Sequence, residues 1–206
     1  HNTTERLCRA FDAEDDSLIE ATPAEPEAHG TEKVEGSAFQ SPVDSDHFGI
    51  VGTGDVLLVT KCTDQLKEWT GKACVNIIYD STVDEFTLYG LFDKVKGKSN
   101  VAVVAFTTNG DVFGGFYNVP VTEQRKDFYD RNMFIFSFES HGRCMTPQRF
   151  VVKEELKKEA RVNFFTNDIN GFVEFGVFGV GGFFLGNESA NSYCWDLSRV
   201  FEGIQD

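Results

Sequence analysis

The sequence predicts a mainly β domain of the α+β class, with two facing sheets and a few flanking helices. Three observations predict it. Strand-like runs rich in Phe and Val fill the second half of the chain, among them "MFIFSFES", "RVNFFTN" and "GFVEFGVFG". Several of these runs are continuously apolar rather than alternating, which is the pattern of sheets covered on both faces. Two segments between residues 63 and 97 carry helical signals instead.

Residues 12–47 are rich in Glu, Asp, Ala, Pro and Ser and poor in large apolar side chains. Such a stretch cannot offset its ordering entropy by burial, so residues 1–47 read as an acidic, disordered arm or linker. The folded domain is expected over 48–206. Within "FGIVGTGDVLLV", Gly52-Thr53-Gly54 hints at a nucleotide loop. A dinucleotide fingerprint needs a preceding strand, a third glycine and a following helix. An arm before it and the β-rich "DVLLV" after it make an ordinary turn the expectation.

In "TDQLKEWTGK", Thr63 or Asp64 is placed to cap a helix, Leu66 and Trp69 share a face, and Gly71 is placed to end it. "ACVNIIYD" reads as a buried strand. In "STVDEFTLYGLFDKVKGKS", Leu88, Leu91, Phe92 and Val95 recur at helical spacing, with Thr87 as cap and Gly97 as stop. "NVAVVAFTTNGDVFGGFYNV" is a hairpin, because Asn109-Gly110 is a preferred pair for a tight two-residue turn. "MFIFSFES", "QRFVV", "RVNFFTN", "GFVEFGVFG" and "GFFLG" supply the remaining strands. Gly114 and Gly115, inside the return strand of the hairpin, let another element lie against the strand or admit a bulge, rather than forming a phosphate loop.

The chain has 206 residues and 21 Phe, ample for one sizeable core. Its formal net charge of −14 argues against nucleic-acid binding, which needs clustered Lys and Arg. The charge is uneven, with 12 Asp and Glu against 3 Lys and Arg in residues 1–49. The most apolar run, residues 171–186, is interrupted by Glu174 and falls short of the roughly 20 residues that cross a bilayer. Direct membrane insertion is therefore not expected. Five scattered cysteines without a C-x-x-C fit reduced thiols in a cytoplasmic protein.

Catalytic chemistry is not evident. His141 and Ser140 lie in the turn "ESHGR", outside any G-x-S-x-G elbow, and read as polar turn residues. Asp80, Asp84 and Glu85 precede the second helix, where negative charge complements the helix dipole, and they lack the spacing of a calcium loop. Cys62 and Cys144 are the candidates for a reactive thiol, and Arg143 neighbours Cys144. No catalytic, cofactor-binding or metal residue is assigned from the sequence.

The middle of the chain resembles the TLDc domain of the oxidation-resistance family. The resemblance rests on "IIYDSTVDEFTLYGLFDKVKGKSNVAVVAFTTNGDVFGGFYN" followed by "MFIFSFES". It includes the Lys-Val-x-Gly helix end at Lys94–Gly97 and the G-x-V-F-G-G-F of Gly110–Phe116. "GFVEFGVFGVGGFFLGNESANSYC" is similar to the family's glycine-rich strand pair and its Gly-x-x-Ser-x-x-x-x-Cys step. The resemblance covers about Phe48 to Asp206. It implies a two-sheet antiparallel β-sandwich with peripheral helices. It further implies a non-enzymatic interaction module associated with oxidative-stress protection, with peripheral subunits of a vacuolar-type proton ATPase as partners. Two departures stand out: "NDINGF" holds Gly171 where the family has a run of glycines, and the family's final strand has no counterpart after "VFEGIQD". A domain shortened at its C-terminus is the corresponding expectation. Two alternatives from other classes are a thiol-based antioxidant enzyme using Cys62 or Cys144, and an adaptor that binds through the acidic arm.

Overall fold

The computed structural model describes residues 9–11, 47–51, 56–85, 87–107, 110–140, 142–166, 171–186 and 192–205. The first strands are β1 (Arg9–Phe11), β2 (His47–Val51) and β3 (Cys74–Asp80). β4 (Val101–Phe106) and β5 (Val112–Tyr117) form the hairpin, and β6 (Phe128–Tyr129) and β7 (Phe134–Glu139) follow. β8 (Gln148–Val151), β9 (Ala160–Phe164), β10 (Gly171–Val177), β11 (Gly181–Gly186) and β12 (Tyr193–Trp195) complete the set. The helices are α1 (Val56–Thr70), α2 (Leu88–Val95) and α3 (Leu197–Val200).

One sheet has the order β1-β3-β2-β4-β5-β7-β8 and the other the order β12-β11-β10-β9-β6. Pairing is antiparallel throughout, except that β2 runs parallel to both β3 and β4. That exception follows from connectivity: parallel neighbours need long crossovers, and α1 and α2 supply them. The two sheets face each other as a sandwich, so the expected mainly β fold with a few peripheral helices is the one observed.

Burial explains why the strands show no alternation. On β4, Val101, Val103 and Ala105 point into the core between the sheets, while Ala102 and Val104 point outward beneath α1. Cys62 and Leu66 of α1 cover that outer face, and Trp69 stacks on Phe138 at 5.4 Å between ring centroids. Between the sheets, Phe113 meets Phe183 at 5.4 Å, and Tyr117 meets Phe164 at 5.9 Å. Both faces of β4 are thus apolar because both are covered.

The glycine pair belongs to this packing. A Cβ on Gly114 would lie 1.9 Å from the Val103 carbonyl oxygen, and one on Gly115 would lie 2.7 Å from Phe175 Cγ. Gly114 admits the neighbouring strand and Phe136, whereas Gly115 admits a ring from the opposite sheet. The close-approach reading therefore holds at both positions.

α2 matches its expected form. Leu88, Leu91, Phe92 and Val95 are buried, and the Thr87 hydroxyl accepts the Gly90 N–H at 3.0 Å. Thr87→Ala is expected to remove about 1 kcal/mol of stability. Thermal melting should then show a fall of roughly 2–4 °C; an unchanged midpoint would mean that the cap contributes nothing here.

Other expectations are corrected. "DVLLV" is not a strand, because Val56–Val59 form the first turn of α1; Thr63 and Asp64 lie inside that helix rather than at its cap. A short apolar run cannot be assigned to strand or helix by periodicity alone. Gly71, at φ +69°, does end the helix, with its N–H bonded to the Lys67 carbonyl. β3 is half-buried rather than buried, since Ile77 is 47% exposed. The β4–β5 connection is five residues long, not two: Phe106 pairs with Val112, and the Thr107 N–H bonds the Asp111 carbonyl. Asn109 lies outside the described residues. Arg9–Phe11, within the expected arm, pair with β3; residues 12–46 lie outside the described residues. The short β6, β12 and α3 had no counterpart in the sequence reading.

Candidate functional site

Most polar groups that the sequence singles out are occupied by local structure. Asp80 Oδ1 accepts the Thr82 N–H and hydroxyl, and Asp84 Oδ2 accepts the Asp80 N–H. Lys94 donates to Asp84 at 2.8 Å and holds its carboxyl below the usual carboxylate range. These acids therefore shape the turn into α2. Among the described residues, no three His, Cys, Asp or Glu side chains group as metal ligands. Ser140 Oγ accepts the Cys144 N–H at 2.6 Å within its turn. His141 lies outside the described residues.

The thiols differ in environment. Cys62 is buried on the face of α1 that packs on the first sheet, and burial pushes its thiol up to about 12. It is then protonated at neutral pH, and a protonated thiol is neither nucleophile nor peroxide reductant. Cys144 is half-buried, but neighbouring Arg143 is engaged elsewhere, by Asp111 at 2.8 Å and by the Ser140 carbonyl at 3.0 Å. Cys194 is exposed on β12. Brief treatment of the native chain with iodoacetamide, followed by mass mapping, is expected to alkylate Cys194 ahead of the other described cysteines, Cys62, Cys74 and Cys144, and to leave Cys62 unmodified. Early modification of Cys62 would show that α1 opens readily.

The Gly52-Thr53-Gly54 segment has flanks other than those expected. β2 ends at Val51 and α1 begins at Val56, so a strand precedes and a helix follows. The third glycine of the fingerprint is still missing, with Leu57 at its position. Residues 52–55 lie outside the described residues.

A buried ionic cluster occupies the outer face of the second sheet. Arg161 Nη2 donates to Glu174 Oε1 at 2.6 Å, and Arg161 Nη1 pairs with Asp127. Asn163 Nδ2 donates to the same Asp127 oxygen at 2.7 Å, and the Arg161 guanidinium lies 5.1 Å from the Phe178 ring centroid. Burial raises the Glu174 carboxyl; Arg161 opposes that rise and Asp127 adds to it. A buried carboxylate, that of Glu174, and a half-buried one, that of Asp127, thus share one guanidinium, an arrangement that joins β9, β10 and the segment before β6.

The opposite side of the sandwich carries an open cleft of about 360 Å³, at the end of the first sheet where α1 terminates. Trp69, Phe116 and Phe134 form its apolar wall, and Arg131, Arg149 and Lys157 bring positive charge to it. No Asp or Glu lines it among the described residues. Arg149 Nη1 donates to the Trp69 carbonyl at 2.7 Å, and its guanidinium lies 5.5 Å from the Phe134 ring centroid. Lys157 Nζ pairs with Glu154 at 2.5 Å. The three cations come from the β6–β7 turn, β8 and the segment after a 3-10 turn at Glu154–Leu156. No local motif announced them, because the fold alone brings them together.

Neither the curated proteins nor the solved structures contain a match to the chain. The family model of the TLDc domain matches residues 57–195, from the first turn of α1 to the end of β12. That span holds the hairpin with its glycine pair, α2 and the paired β10 and β11, the elements on which the resemblance was drawn. With well over half of its length matched, this chain belongs to the TLDc family.

Proposed function

We propose that this chain is a non-enzymatic protein-interaction module, associated with protection against oxidative stress, whose partners are peripheral subunits of a vacuolar-type proton ATPase. Family membership over residues 57–195 carries the reading, since TLDc proteins are linked to oxidative-stress resistance and several act on that pump. The surroundings of the thiols favour contact over chemistry. Cys62 is buried and protonated, and Arg143, the cation nearest Cys144 in sequence, is committed to Asp111. Among the described residues, no helix is long and apolar enough to cross a membrane. The reading entails a cytoplasmic location, where the peripheral sector of such a pump is accessible.

Affinity purification with the full chain at low ionic strength tests the partner. Recovery of peripheral pump subunits is the expected result, and their absence removes this partner. Catalytic turnover of peroxide by the purified chain, with one cysteine oxidised far ahead of the others, would replace the module by a thiol enzyme.

A further inference from the structure

The cleft beside the end of α1 has a charge opposite to that of the molecule around it. The chain carries 33 Asp and Glu against 19 Lys and Arg, yet the cleft holds three cations and no acid among its described lining residues. The cations are not consumed by packing alone. Arg131 and Arg149 are exposed, and Lys157 already holds a surface carboxylate, that of Glu154, at 2.5 Å. Lys157, and more weakly Arg131, keep the Glu154 carboxyl below its ordinary value. A carboxylate at this rim is therefore stabilised by two of the three cations.

The form of the cleft selects among anions. Phosphate sites are typically built at helix N-termini, where free N–H groups converge. Here α1 presents its C-terminal residues Trp69 and Thr70, and the carbonyl end of a helix carries partial negative charge. A concentrated dianion is disfavoured there, whereas single carboxylates spaced along a chain can each meet a separate cation. The apolar wall of Trp69, Phe116 and Phe134 offers contact to an uncharged side chain between them. A volume of about 360 Å³ is at the small end of ligand clefts, which span roughly 300–1,000 Å³, and suits a side chain or two rather than a folded element.

We infer that this cleft docks an acidic segment of a protein partner, with carboxylates on Arg131, Arg149 and Lys157 and an apolar side chain against Trp69. The inference rests on the reading of the chain as an interaction module and assigns that module a face. Because the rest of the molecule is acidic, binding is local and short-ranged, and it weakens with salt.

The test uses the full chain and a rhodamine-labelled peptide in which glutamates flank a single phenylalanine, followed by fluorescence anisotropy. Saturable binding at low salt is expected, with a loss of about tenfold in the Arg131→Glu/Lys157→Glu variant. A peptide with lysines in place of the glutamates should not bind. If the double reversal fails to fold, the Arg131→Gln/Lys157→Gln pair carries the same expectation with a smaller loss. Equal binding by wild type and a folded variant overturns the assignment, as does equal binding of the lysine peptide. Displacement of the probe by inorganic phosphate at matching concentration would overturn the choice of a peptide. Displacement by a peptide copying residues 12–46, at far lower concentration than the probe itself needs, would make the chain's own arm the occupant instead of a partner. None of these results bears on the proton-pump reading, which the affinity purification decides separately.

Discussion

Gly115→Val is expected to lower the melting temperature by roughly 6–12 °C, from about 3 kcal/mol of overpacking in a domain of this size. The clash is with a ring that has nowhere to go. A Cβ at position 115 meets Phe175 Cγ, Cδ1 and Cδ2 at 2.7–2.8 Å, the body of the ring rather than a flexible end. Phe175 is fully buried, with Tyr117 at 6.4 Å and Phe183 at 6.3 Å between centroids. Relief would require the two sheets to separate, which would open the contacts between them. Gly115→Ala should show a smaller loss in the same direction, because it adds the Cβ without the two methyls. Thermal unfolding followed by circular dichroism checks both; a valine variant that melts with the wild type would mean that Phe175 does not lie over this position.

The glycine pair also shows what a sequence can convey. That something must pass close to Gly114 and Gly115 was legible, because a strand accepts two adjacent glycines only for a reason of space. Which elements pass was not legible, since Val103 is a strand partner and Phe175 lies 60 residues away on the other sheet. α2 was legible in full, since its cap, face and stop are all local signals. The N-terminal half of α1 was not, because Val56-Leu57-Leu58-Val59 suits a strand or a helix equally and no local signal decides between them. The parallel pairing of β2 likewise depends on two helical crossovers. Site residues follow the same division. Arg131, Arg149 and Lys157 carry no motif and converge only through the ends of β5, β7 and β8. For the ionic cluster one signal was present: Glu174 interrupts an apolar run, and a charge inside a buried strand requires a partner. The identity of that partner, Arg161 on the neighbouring strand, depends on a register that the sequence does not state.

Arg161→Leu is expected to destabilise the fold by about 3–5 kcal/mol, the range for removing one partner of a buried ion pair. The size follows from what remains. Glu174 is 8% exposed and would keep its burial while losing the guanidinium that Arg161 places 2.6 Å away. Burial already raises the Glu174 carboxyl in the intact protein, and Asp127 adds to the rise. Loss of Arg161 removes the opposing influence, so the raised value climbs further. The sign for pH follows directly. A carboxyl whose folded value exceeds its unfolded value binds more protons when folded, so stability falls as pH rises through that interval. In the wild type the fall starts near the ordinary glutamate value of 4.5 and ends at the raised one. In Arg161→Leu it should be steeper and extend to higher pH, while Glu174→Gln alone should remove the Glu174 contribution. Urea unfolding across that pH range reads all three. The double variant Arg161→Leu/Glu174→Leu should recover most of the loss, since an apolar pair of similar volume replaces a buried ion pair at little cost and the half-buried Asp127 can turn to solvent. A single Arg161→Leu variant with wild-type stability and an unchanged pH slope would show that the cluster is solvated in the folded state; a double variant as unstable as the single would show that the guanidinium packs the sheet instead of neutralising it.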